Sequence, residues 1–156
     1  MTWLALLLAA TPVAADHVEV GALVTIPHVA LRLSDREPLG AAISVPWTLK
    51  LVAASPRPFL HHWLLVEPGV VIAKEVAFRG RFGFRLTGEL TSWLNVGAGF
   101  GVSIDVPTAG VAIAPSPEVM VRVGSGPTGY GVAFARLEPQ LDHSVVGYVG
   151  VGYAFW

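Results

Sequence analysis

The stretch Val76-Ala77-Phe78-Arg79-Gly80-Arg81-Phe82-Gly83-Phe84-Arg85-Leu86 decides the fold. Val76, Phe78, Phe82, Phe84 and Leu86 fall in one frame, and Arg79, Arg81 and Arg85 fall in the other. Apolar and polar residues alternating at period two mark a β-strand with two chemically different faces.

Downstream, Leu90, Leu94, Val96, Ala98, Phe100, Val102 and Ile104 alternate with Trp93, Asn95, Gly97, Gly99, Gly101 and Ser103. Less regular alternation appears at Val18-Ile26, Ile43-Leu51 and Tyr130-Val132-Phe134, and it returns at Val149-Val151-Tyr153-Phe155. Turn-forming stretches separate these runs: Ser34-Pro38, Ser55-Pro58, Asp105-Pro107, Gly124-Pro127 and Glu138-Gln140. With further turns expected near Lys74-Glu75 and Gly88-Glu89, the chain divides into about eight strands. Two segments fit less simply. Pro115-Ser116-Pro117 predicts a bulge or a shorter strand starting near Glu118, and Glu67-Pro68-Gly69 can be read as a turn.

Composition says what surrounds these strands. The 156 residues are 53% hydrophobic and 13% charged, whereas a soluble domain carries about 25–35% charged residues on its surface. The run from Trp3 to Ala10 is too short to span a bilayer, and Thr11-Pro12-Val13-Ala14-Ala15 follows it as a small-residue cleavage site. Residues 1–15 therefore read as a signal peptide and 16–156 as a single mature domain. No later apolar run is long enough for a membrane helix, which leaves a closed barrel as the way to satisfy the backbone in lipid. A net charge of −1 gives no footprint for nucleic acid, and without cysteine there is neither disulfide nor thiol chemistry.

The placement of charge distinguishes a barrel in lipid from a soluble, lipocalin-like binding barrel, which is apolar inside. Glu19, Arg32, Lys50, Glu67, Arg79, Arg81, Arg85, Glu118 and Arg122 take the polar frame. The remaining charged residues, Asp105 and Glu138 among them, fall in turns or at strand ends, and Arg136 alone shares phase with an apolar frame. Polar positions of the fifth and last strands are mostly glycine, alanine and serine, which suits a narrow interior better than a wet exterior. The expectation is an all-β, closed, antiparallel up-and-down transmembrane barrel with polar residues inside.

This pattern, together with the ending Gly150-Val151-Gly152-Tyr153-Ala154-Phe155-Trp156, resembles the small bacterial outer-membrane barrels typified by the transmembrane domain of outer-membrane protein A. The resemblance implies export to the outer membrane, contact with its lipid, and recognition of the last strand by the barrel-assembly machinery. It further implies a non-enzymatic structural, adhesive or very narrow channel role, with no cofactor and with a monomer favoured. Trp47, Trp63, Tyr153, Phe155 and Trp156 are the expected interfacial aromatics, whereas Trp93 falls in the inner frame. Glu19, Lys50, Glu67, Arg79, Arg81, Arg85, Glu118 and Arg122 are the expected lumenal network.

Other constellations carry less. His143-Ser144 beside Glu138 and Asp142 offers a base and a nucleophile for lipid A deacylation or acyl transfer, but neighbours on a strand point to opposite faces. The same divergence weakens His61-His62 as a metal pair. Gly97-Ala98-Gly99-Phe100-Gly101 has period two and no following helix pattern, so it reads as a strand with a glycine-lined face rather than a phosphate loop.

Overall fold

A computed structural model describes residues 19–52, 60–108, 110–124 and 129–155. The expected signal peptide, its cleavage after Ala15, the turn at Ser55-Pro58 and Trp156 lie outside those residues, and Glu19 and Phe155 are described by backbone alone.

Every described element is a strand: β1 (Glu19–Ser34), β2 (Gly40–Ser44), β3 (Trp47–Val52), β4 (Leu60–Ile72), β5 (Val76–Thr91), β6 (Leu94–Val106), β7 (Ala112–Pro115), β8 (Glu118–Gly124), β9 (Tyr130–Pro139) and β10 (Val145–Phe155). All pairings are antiparallel, and β1 pairs with β10, which closes the sheet. β2 and β3 lie end to end between β1 and β4. β7 and β8 likewise lie end to end along β6. The ten segments thus make a closed eight-stranded barrel. Val24 opposite Phe155 brings the start of β1 and the end of β10 to the same rim.

Prolines account for both interruptions. The Val45 N–H donates to the Pro68 carbonyl at 2.9 Å. In an antiparallel strand a residue's N–H and C=O point the same way, so the donor Pro68 lacks faces the break at Val45-Pro46. Two donor-less residues thus meet at one gap in the ladder. β4 runs through Glu67-Pro68-Gly69, and the turn alternative there is not realised. On the other side of the barrel, Ser116 and Gly101 exchange both backbone hydrogen bonds, at 2.8 and 3.2 Å, and the Pro117 carbonyl accepts from Leu137 at 3.1 Å. The stave remains paired there, and β8 starts at Glu118 as the prolines suggested. The turn expected at Gly88-Glu89 is corrected. Both residues continue the β5–β6 ladder, opposite Val96 and Asn95. The chain reverses at Ser92-Trp93, where the Thr91 hydroxyl accepts from the N–H groups of Trp93 and Leu94 at 3.3 and 3.0 Å.

The outside of the wall is apolar. Phe78 is 72% exposed, Phe82 53%, Val119 60% and Val151 63%. Their strand neighbours Arg79, Arg81, Glu118 and Gly150 point inward and are buried. Exposed charges among the described residues sit in turns or near strand ends, at Asp35, Arg36, Glu37, Lys74, Glu75, Glu89 and Asp142. Trp93 is also exposed, a departure from its expected inner position that follows from its place in the turn.

Candidate functional site

The barrel's interior is filled by charged side chains. Strands β4, β5, β8 and β9 bring Glu67, Arg81, Arg85, Glu118 and Arg136 together, each no more than 4% exposed. Arg136 Nη2 stands 2.8 Å from Glu67 Oε2 and 3.1 Å from Glu118 Oε2. Arg81 Nη1 bridges the same two carboxylates at 3.3 and 2.9 Å. Arg85 Nε donates to Glu118 Oε1, and Arg85 Nη2 lies 3.7 Å from Glu67 Oε2. The Ser44 hydroxyl donates to Glu67 Oε1 at 2.7 Å, so both carboxylate oxygens of Glu67 are occupied.

A second group continues toward the rim that carries no termini. Arg79 donates to Asp105 through Nε and Nη2, at 2.6 and 2.7 Å, and through Nη2 to Glu138 at 2.6 Å. The Ser116 hydroxyl joins the two groups, accepting from Arg81 Nε at 2.9 Å and donating to Glu138 Oε1 at 3.0 Å. Removing such charges from water costs several kcal/mol each, and only this density of opposite charge and hydrogen bonds offsets it.

Three expectations are corrected. Arg136 belongs to the interior, because β9 turns Val132, Phe134, Arg136 and Glu138 inward and leaves Ala133, Ala135 and Leu137 exposed. Asp105 and Glu138 are members of the network rather than turn charges, since the β5–β6 register sets Asp105 opposite Arg79. Trp63 is not interfacial. It is 1% exposed inside the barrel, where its Nε1 donates to Thr87 Oγ1 at 2.9 Å. Arg122 Cζ lies 5.0 Å and Lys50 Nζ 5.9 Å from the Trp63 ring, so the aromatic serves as a cation platform. Arg136 and Glu138 do carry a sequence signal: two charges in one frame outweigh the apolar residues that share it. Nothing comparable marks Trp63.

Of the other expected residues, Trp47 and Tyr153 lie on the exterior, 58% and 37% exposed. Arg32 stands at the rim without termini, paired with Glu37 at 2.6 Å. His61 meets Glu89 at 3.1 Å, whereas His62 is exposed on the opposite face. No group of three His, Cys, Asp or Glu residues is placed to hold a metal among the described residues. In the last turn, the Ser144 hydroxyl donates to Asp142 Oδ1 at 2.6 Å. Hydrogen bonds from the Ser144 hydroxyl and N–H, with Arg36 nearby, hold the Asp142 carboxyl below the usual carboxylate range. His143, with φ of 65°, is the turn's left-handed residue.

No protein-family model matches the chain, and no curated protein matches it.

Proposed function

We propose that this chain is a non-enzymatic outer-membrane β-barrel of a bacterium, exported behind a cleaved signal peptide, with a structural role in the membrane and a lumen closed to solutes. One observation carries the reading: the exterior of the closed wall is apolar around its circumference, while charged side chains are paired within. A soluble protein rarely exposes contiguous apolar patches beyond a few hundred Å². Strand length agrees. The 16 residues of β1 and of β5 reach roughly 50 Å at about 3.3 Å each, enough to cross a tilted outer-membrane belt about 25 Å tall.

The Arg/Glu network supports a plugged lumen rather than a pore, because an eight-stranded barrel is narrow enough for its own side chains to fill its middle. Trp47 and Tyr153 suit the headgroup level, and the last strand suits recognition by the barrel-assembly machinery. Fractionating expressing cells and running the membrane fraction unheated and boiled on a denaturing gel tests the reading. The expected result is a membrane-bound band whose mobility shifts on heating, with no conductance in planar bilayers. Recovery in the soluble fraction, or an unshifted band, overturns it.

A further inference from the structure

At the rim opposite the termini, the turns after β1, β4, β6 and β9 surround an open cavity of about 740 Å³. That volume falls within the range of small-molecule sites. Three of its four carboxylates are already paired. Glu37 is paired with Arg32, Asp105 with Arg79, and Asp142 with Arg36 at 3.0 Å.

Arg32 Nη1, Arg79 Nη1 and the Tyr148 hydroxyl have no hydrogen-bond partner among the described residues. These three groups stand together. Arg32 and Tyr148 line the cavity as cross-strand partners on β1 and β10, and the Arg79 guanidinium carbon lies 4.3 Å from the centre of the Tyr148 ring. Tyr148 is 1% exposed, as is the side chain of Arg79. Burying a donor unpaired is costly, and more so for a charged group. The buried unpaired groups in and beside the cavity wall are therefore two guanidinium N–H donors and a phenol hydroxyl, which can donate or accept.

We propose that this mouth binds a small solute through an oxyanion, a carboxylate or phosphate group held by Arg32 and the Tyr148 hydroxyl, with the Arg79 cation stacked on the Tyr148 ring. Guanidinium and phenol donors together suit such a group, since charge-assisted hydrogen bonds to oxyanions are the strong ones. The free solute and the headgroup phosphate of a lipid share this chemistry.

The test uses the full chain folded in neutral detergent micelles, so it does not depend on where the barrel sits in a cell. Titration calorimetry with inorganic phosphate and with acetate, against a chloride control, should show saturable binding of at least one oxyanion. Tyr148→Phe and Arg32→Gln should each weaken it at least tenfold while retaining the heat-dependent gel shift. Short-chain phosphatidic acid added to the micelles separates the sources: competition with phosphate identifies a headgroup site, and no competition identifies a free solute. Binding no different from chloride, or folded variants that bind like the parent, overturns the proposal.

Discussion

Strands β5 and β9 both alternate at period two, yet their phenylalanines face opposite ways. On β5 the large apolar residues Phe78, Phe82 and Phe84 face outward and the arginines inward. On β9 Val132 and Phe134 face inward, and Ala133, Ala135 and Leu137 hold the exterior. The difference teaches that charge, not bulk hydrophobicity, sets the phase of a strand in this wall. Arg136 and Glu138 share a frame with Phe134, and their partners Glu67, Glu118 and Arg79 are all interior. Exposing two charges on an apolar exterior costs more than turning two apolar side chains inward. β10 then makes the room, because Gly150 is the cross-strand neighbour of Phe134 and Gly152 that of Val132.

The largest effect should come from breaking the charge balance that fixes this phase. The central cluster sets Arg81, Arg85 and Arg136 against Glu67 and Glu118, so Glu67→Gln leaves three cations with one carboxylate. A loss of about 3–5 kcal/mol is expected from urea unfolding of the refolded barrel. Arg136→Met equalises the two signs and should cost less than half as much. Equal losses would mean that the cluster's balance does not govern its stability.

Next come charges placed on the exterior. Phe82→Arg on β5 and Ala135→Arg on β9 should each destabilise the barrel in lipid vesicles by about 2–4 kcal/mol near the midplane. On a water-facing surface each would fall within about 0.5 kcal/mol of neutral. A neutral Ala135→Arg would place the exterior of β9 in the other frame.

The glycine that admits Phe134 gives the third test. A Cβ on Gly150 would lie 2.5 Å from Phe134 Cζ and 2.7 Å from the Ala30 Cβ. Gly150→Val should therefore cost about 1–3 kcal/mol through overpacking. Adding Phe134→Leu should recover part of that loss in a double-mutant cycle. Independent, additive losses would argue against the inward Phe134.

Trp63 supplies the smallest effect. Trp63→Phe removes the hydrogen bond to Thr87 and should cost about 1 kcal/mol in the same unfolding assay. Its fluorescence should resist quenching by brominated lipid, whereas that of Trp47 should not. Matching quenching of the two would move Trp63 to the exterior.

The sequence by itself determined the barrel's strands and, on most staves, which face is polar, because alternation at period two is a local property of the chain. Arg79, Arg81 and Arg85 are legible as one face, and Glu118 is legible as the start of a strand after the prolines. Only the tertiary structure decided the phase of β9, the inward position of Trp63, and the joining of Asp105 and Glu138 to Arg79. Each depends on which strand lies beside or across the lumen from which, and a single strand's pattern carries no record of its neighbours. The mouth is likewise a product of assembly. Arg32, Arg79 and Tyr148 lie far apart in the chain, and closure of β1 onto β10 brings the first and last of them together.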